Sequence, residues 1–230
     1  MNREFDRFSG AYEDLLHDPL RDRFTGSESQ FFHLRKRDLV REYLRRQRRD
    51  SRRLKYLDVG CGKGVLATLL RDDFAEVCGC DPSSGMMEAA DGIETRVQND
   101  PDKIPFNDGQ FDFVTAVCVY HHVSVKDRLN LTREVLRVMK PSGTFCMMEH
   151  NPWNPVTRFI VGRTPVDADA VLLNSAEACG LMREAGFIVE RPRFFLYLPA
   201  RWYASIGGLE TALSRIPLGG QYAVFGTLPA

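Results

Sequence analysis

The chain has 230 residues, 31 basic and 31 acidic side chains, and a composition that is 43% hydrophobic and 27% charged. That length accommodates one domain with a full core and is short for two, and the balanced charge gives no global field to attract nucleic acid. No apolar run approaches the roughly 18 residues of a membrane span, and Met1 to Gly10 is polar and mixed in charge, unlike a signal peptide, so a cytoplasmic protein without a membrane partner is expected.

In chain order, two helical patterns fill the first 50 residues, separated by Phe24-Thr25-Gly26-Ser27. Ser27 or Ser29 supplies an N-cap for the second, which runs to about Arg49. From Leu54 onward, short β-rich runs alternate with helical ones. Strands are predicted near 54–59, 75–80, 93–98, 111–118, 143–149, 187–195 and 221–228. Helices are predicted near 63–72, 84–91, 126–139, 155–162, 175–185 and 201–215. Lys140-Pro141-Ser142-Gly143 reads as a turn before the fifth strand, and Ala185-Gly186 as a helix end before the sixth. This alternation predicts an α/β fold, a doubly wound, Rossmann-like sheet of seven mostly parallel strands with helices on both faces. With no repeat and no linker composition, residues 1–230 form one expected domain. The six cysteines, at 61, 78, 80, 118, 146 and 179, contain no CxxC pair and fall mostly in strand-like runs, so buried reduced thiols are expected and no metal site.

The most informative segment is Leu57-Asp58-Val59-Gly60-Cys61-Gly62-Lys63-Gly64, where a strand runs into alternating glycines and then a helix. Such glycines let backbone approach a ligand closely. A dinucleotide loop of the form GxGxxG would need glycine at 65, and Val65 stands there. Asp58, two residues before Gly60, would meet a pyrophosphate unfavourably but suits an ammonium group and a sulfonium. Asp81 ends the second strand about 20 residues on, where a carboxylate can take both ribose hydroxyls; Asp100 follows the third, where one can accept from an adenine amine. Three acids at three successive strand ends converge on the carboxyl edge of the sheet.

These motifs, with CDPSSGMMEAA at 80–90, NDPDKIPF at 99–106, FDFVTAVCVYHHV at 111–123 and REVLRVMKPSGTF at 133–145, resemble the class I S-adenosylmethionine-dependent methyltransferases, in particular the small-molecule group similar to ubiquinone-biosynthesis enzymes. The resemblance spans about Leu54 to Gly186. It implies S-adenosylmethionine as cofactor, with Asp58, Gly60 and Gly62 at its methionine part and Asp81 at the ribose. It further implies Pro82 and Met86 packed on adenine, Asp100 and Pro101 at the adenine edge, and the Cys118 backbone near the sulfonium. Residues 1–50 would then be a helical lid, with Tyr12 laid against the cofactor.

Methyl transfer needs an aligned acceptor and sometimes a base. Tyr120-His121-His122 and Glu149-His150 end adjacent strands and should face each other across the acceptor side. His121 is the candidate general base, with Glu149 supporting its cation; the competing reading is a structural His122–Glu149 hydrogen bond with catalysis by positioning alone. A metal held by His121, His122, Glu149 and His150 is disfavoured, because neighbours on one strand point to opposite faces. Residues 151–174 and 197–220 are expected insertions that shape the acceptor pocket, and the aromatics Trp153, Phe159, Phe195, Tyr197, Trp202 and Tyr203 in and beside them suit an apolar or planar acceptor.

Between Arg35 and Arg53 lie ten basic residues and three acids. An RNA-facing surface would make the chain a nucleic-acid methyltransferase. The preferred reading is a solvated helix whose Leu34, Leu39, Val40, Tyr43 and Leu44 pack on the sheet, with Arg37 reaching toward the cofactor carboxylate. A non-methylating protein that retains the cofactor pocket is the other alternative. The acceptor's identity, the atom methylated and the oligomeric state are not encoded in any motif.

Overall fold

The computed structural model describes residues 30–87 and 92–228, together with positions 10, 15, 19 and 22. Strands β1 (Lys55–Val59), β2 (Glu76–Asp81), β3 (Glu94–Val97), β4 (Phe111–Val117) and β5 (Met139–His150) run parallel in the order β3-β2-β1-β4-β5. The last strand, β8 (Gln221–Thr227), lies antiparallel to β5, and β6 (Ile188–Val189) and β7 (Arg193–Phe195) both pair with β8. Among the described residues, seven strand positions are therefore filled by eight strands. The predicted single strand over 187–195 is interrupted at Glu190-Arg191-Pro192, where proline has no N–H for a ladder.

The strands are nearly continuous in apolar residues because helices cover both faces. One face carries Tyr56, Phe113, Cys146 and Phe225 beneath α1 (Phe31–Arg46) and α2 (Val65–Leu70). The other carries Leu57, Val59, Val114, Phe145 and Val224 beneath α4 (Arg128–Val138) and α6 (Ser175–Ala185). The short α3 (Ser84–Met87) follows β2, α5 (Pro155–Val161) follows β5, and α7 (Ala200–Ile206) and α8 (Gly208–Leu213) fill the span before β8. The predicted helix over 201–215 breaks at Gly207.

One expectation is met and one needs correction. Helix α1 packs on the sheet as its apolar residues predict: Val40 and Tyr43 are fully buried, and the Tyr43 ring stacks on Phe225 at a 4.0 Å centroid distance. Its apolar stripe is too large to be left in solvent. The predicted turn at 140–143 lies inside β5, where Met139 pairs with Phe111 and Thr144 with Phe113, so extra residues bulge out and Ser142 takes φ +60°. The expected helix end at Ala185-Gly186 is observed, with Gly186 in the left-handed region, and Asn174 and Glu177 form a reciprocal capping box at the start of the same helix, α6.

Strand order reverses between β1 and β4, which opens a crevice at their carboxyl ends. Among the described residues no helix is long and apolar enough to cross a membrane.

Candidate active site

Gly60 begins the loop after β1 with φ +69°, and a Cβ there would lie 2.5 Å from a Val119 methyl carbon. Only glycine fits both the conformation and the space. Gly60 and Cys61 both donate their N–H to the Cys80 carbonyl, at 2.7 and 3.0 Å, so the loop is tied to the end of β2. Asp81 reinforces this tie: one carboxylate oxygen accepts from Gly62 N–H at 2.9 Å and the other from Ser83 N–H at 2.9 Å.

Asp58 shares a sheet face with Tyr56 by strand alternation. Tyr56 donates to Thr115 Oγ1 at 2.7 Å, and Thr115 donates to Asp58 Oδ1 at 2.6 Å. Burial pushes the Asp58 carboxyl up to about 7, against the opposing pull of the Thr115 hydrogen bond and the Lys36 charge. Lys36, buried on α1, also places its Nζ 3.7 Å from Cys118 Sγ. Arg37, in contrast, pairs with Asp38 at 2.8 Å, so the cation that reaches the site is its neighbour.

Met86 is buried on α3, its Cε 3.5 Å from where a Gly62 Cβ would be. Pro82 sits directly before that helix, half-buried. Asp100 and Pro101 are exposed, and Asp100 closes a local turn by accepting from Asp102 N–H at 2.9 Å. Gln98, which sequence reasoning missed, is 3% exposed with neither amide atom hydrogen-bonded. Polar atoms so buried ordinarily have partners.

Cys118 follows β4 with φ +56°, and its thiol faces Lys36 and, at 3.5 Å, Gln221 Nε2. Although burial opposes ionisation, Lys36 and His150 bring the thiol down to about 7. Tyr12 lies outside the described residues.

On the acceptor side, Glu149 is fully buried and organises the Tyr120–His122 turn. Its Oε1 accepts from the N–H groups of Val119 and Tyr120 at 2.9 and 2.7 Å, and its Oε2 lies 2.6 Å from His121 Nδ1. The partner is thus His121 and not His122. Burial opposes the His121 cation, but Glu149 and Asp167 outweigh it and hold the ring up to about 10. With that proton in place the ring is an acid, and a substrate proton or a metal that needs the Nε2 lone pair must first displace it. Burial and the neighbouring His121 charge push His122 down to about 4. Both rings also face Asp167, from the 151–174 segment, at 3.4 Å, because the residues form a 3₁₀ turn and not an alternating strand.

The donor set fits S-adenosylmethionine on two observations: the Gly60 cradle, which a Cβ would fill, and buried carboxylates and an orphaned amide at successive strand ends. Residues 57–147 match a family model described as a methyltransferase domain. An uncharacterized methyltransferase of Synechocystis is 29% identical over 150 residues, covering 61% of this chain and 70% of that one. A demethylmenaquinone methyltransferase of Beutenbergia cavernae is 36% identical over 106 residues, 43% of this chain and 42% of that protein, so the chain spans less than half of that relative. A solved structure described as a possible histamine N-methyltransferase of Thermotoga maritima superposes with a TM-score of 0.69 at 21% identity, covering 97% of each chain. Residues 57–147 thus carry a methyltransferase domain, and the chain is similar to S-adenosylmethionine-dependent methyltransferases in sequence and in fold, a likeness that implies that cofactor as methyl donor. The proteins it is similar to include quinone methyltransferases.

Proposed function

We propose that the chain transfers the methyl group of S-adenosylmethionine to a small-molecule acceptor at the carboxyl edge of the sheet. The observation that carries this reading is the convergence of the Gly60 cradle, Asp58, Asp81 and the Gln98 amide on one side of the β1–β4 crevice, opposite the Tyr120–His122 turn. The bound cofactor supplies an electrophilic methyl group on a sulfonium. In this reading Asp58 and Lys36 hold the ammonium and carboxylate of the amino-acid end, Gly60 and Gly62 let it approach, and Asp81 takes the ribose. Pro82 and Met86 flank the adenine, and Gln98 meets its edge in place of Asp100 and Pro101. The Cys118 backbone lies toward the sulfonium. Glu149 and His121 fix the acceptor-side turn, and rate acceleration comes from alignment.

An RNA acceptor is less well supported, because of where the cations lie. Arg35 pairs with Glu210, Arg41 with Asp73 and Arg53 with Asp50. The exposed remainder, Arg45, Arg46, Arg48 and Arg52, clusters at the end of α1 and just before β1, at the amino edge of the strands, away from the crevice.

Calorimetry with S-adenosylmethionine, followed by incubation with deuterated-methyl cofactor and fractionated metabolite extract, tests the reading. One-to-one binding, lost at least tenfold in Asp81→Asn, and a labelled small molecule are expected. No cofactor binding, or label found only in RNA, overturns it.

A further inference from the structure

The acceptor side holds a constellation that the methyl-donor site does not need. His121, His122 and Asp167 each offer one donor atom, a ring nitrogen or a carboxylate oxygen, within 4.8 Å of the other two. Each imidazole nitrogen is 3.4 Å from the same Asp167 oxygen. That is longer than the roughly 2.7–3.2 Å of a good N–H···O bond. It matches the edge of a tetrahedron around an ion with N and O bonds of about 2.0–2.1 Å, which is about 3.3 Å.

We propose that these three residues form a two-histidine, one-carboxylate site for a first-row transition dication, zinc or ferrous iron by ligand type. Three features show that the site is built. First, His121 presents Nε2 because its Nδ1 is fixed at 2.6 Å by Glu149, itself held by two backbone N–H groups. A carboxylate behind a histidine is the usual support of a metal-ligating imidazole. Second, the segment bearing Asp167 is pinned to the histidine turn: Val171 N–H donates to the His121 carbonyl at 2.9 Å, and Arg128 donates to the Val171 carbonyl at 2.5 Å. Third, the site has an approach side. The His122 side chain is 25% exposed and Asp167 10%, whereas His121 and Glu149 are closed off.

Three protein donors leave further coordination positions for water or for an oxygen of the acceptor. That use rests on the methyl-transfer reading; the binding does not. A second cluster, Glu76, Cys78 and Glu94, has the same compactness but lies on the β2–β3 pair, where Lys55 pairs with Glu76 at 2.5 Å and Arg96 with Glu94 at 2.7 Å. Resident cations at those carboxylates make it a suitable control.

The test reads binding without turnover. The full chain is stripped with a chelator, its fold checked by circular dichroism, and titrated with cobalt(II), whose visible absorption reports low-symmetry nitrogen–oxygen coordination, and with zinc by calorimetry. One equivalent is expected, weakened at least 100-fold in Asp167→Asn and in His122→Ala, about 10–100-fold in Glu149→Gln, and unchanged in Cys78→Ser. Absence of stoichiometric binding to the folded wild type, or binding that survives Asp167→Asn or fails in Cys78→Ser, overturns the site. If metal binds while S-adenosylmethionine does not, only the proposed function fails.

Discussion

Asp58 is a carboxyl buried in the middle of a sheet, facing Tyr56, Thr115, Lys36, Cys61 and Asp81. Its native pKa, about 7, lies above the value near 3.8 that it has when exposed. Between those values the native state binds more protons than the unfolded state, so this residue makes stability fall as pH rises, with the full loss reached above about pH 7. Three units correspond to an effect on the order of 4 kcal/mol. Thermal melts of the ligand-free protein should show a lower Tm at pH 8 than at pH 5.5 from this source. Asp58→Asn should flatten that slope, and saturating S-adenosylmethionine should flatten it too, its ammonium compensating the charge; an unchanged slope in the variant would refute the assignment. Gln98 gives a prediction of opposite sign for stability and binding. Replacing an unpartnered buried amide by Met should stabilise the ligand-free protein by about 1 kcal/mol or more while weakening cofactor affinity severalfold, as read by melts and calorimetry on one sample.

At the scale of elements, the strand–loop–helix units were legible because their signals are local. Apolar runs placed β1 through β5 within a few residues, and Gly60 and Gly62, both at positive φ, marked a loop in which a Cβ at Gly60 would clash. The misreadings arose where neighbours decide. His121 and His122 leave β4 in a 3₁₀ turn because Glu149 captures the Val119 and Tyr120 N–H groups, and no periodicity within 111–123 encodes that. Lys36 and Asp167 approach the site from distant segments, and Lys36 lies 82 positions from the Cys118 it meets. A lone lysine in a basic run gives no hint of this. Gly60→Ala probes the loop as a unit: the new Cβ meets Val119, so cofactor affinity should fall at least tenfold and stability by about 1–3 kcal/mol. Calorimetry and denaturant melts measure the two effects separately.

At the scale of the molecule, the first and last thirds of the chain are latched together. Arg35 on α1 donates to Glu210 on α8 at 2.7 Å and stacks on Tyr203 of α7, while the other Glu210 oxygen accepts from Tyr197 N–H at 3.1 Å and from the Tyr203 hydroxyl. The 197–220 segment is therefore fastened to the same helix that delivers Lys36. Glu210→Gln should cost about 1–3 kcal/mol and raise the KM for cofactor and acceptor together, whereas a purely local role would move stability alone. Melts and initial rates once an acceptor is known distinguish the two.

The placement of β8 bears on how the chain is made. It is the last strand in sequence, yet it sits between β5 and the β6–β7 edge. While a ribosome is still extending the chain toward residue 221, β5 presents one whole side of unsatisfied backbone, with Phe145, Met147 and Met148 beside it, and the β6–β7 segment has nothing to pair with. Synthesis thus passes through a stage in which the other strands exist but the sheet is split, and the nascent chain is open to strand exchange and to holding chaperones until β8 emerges. A chain stopped after Gly220 should be recovered mainly in aggregates.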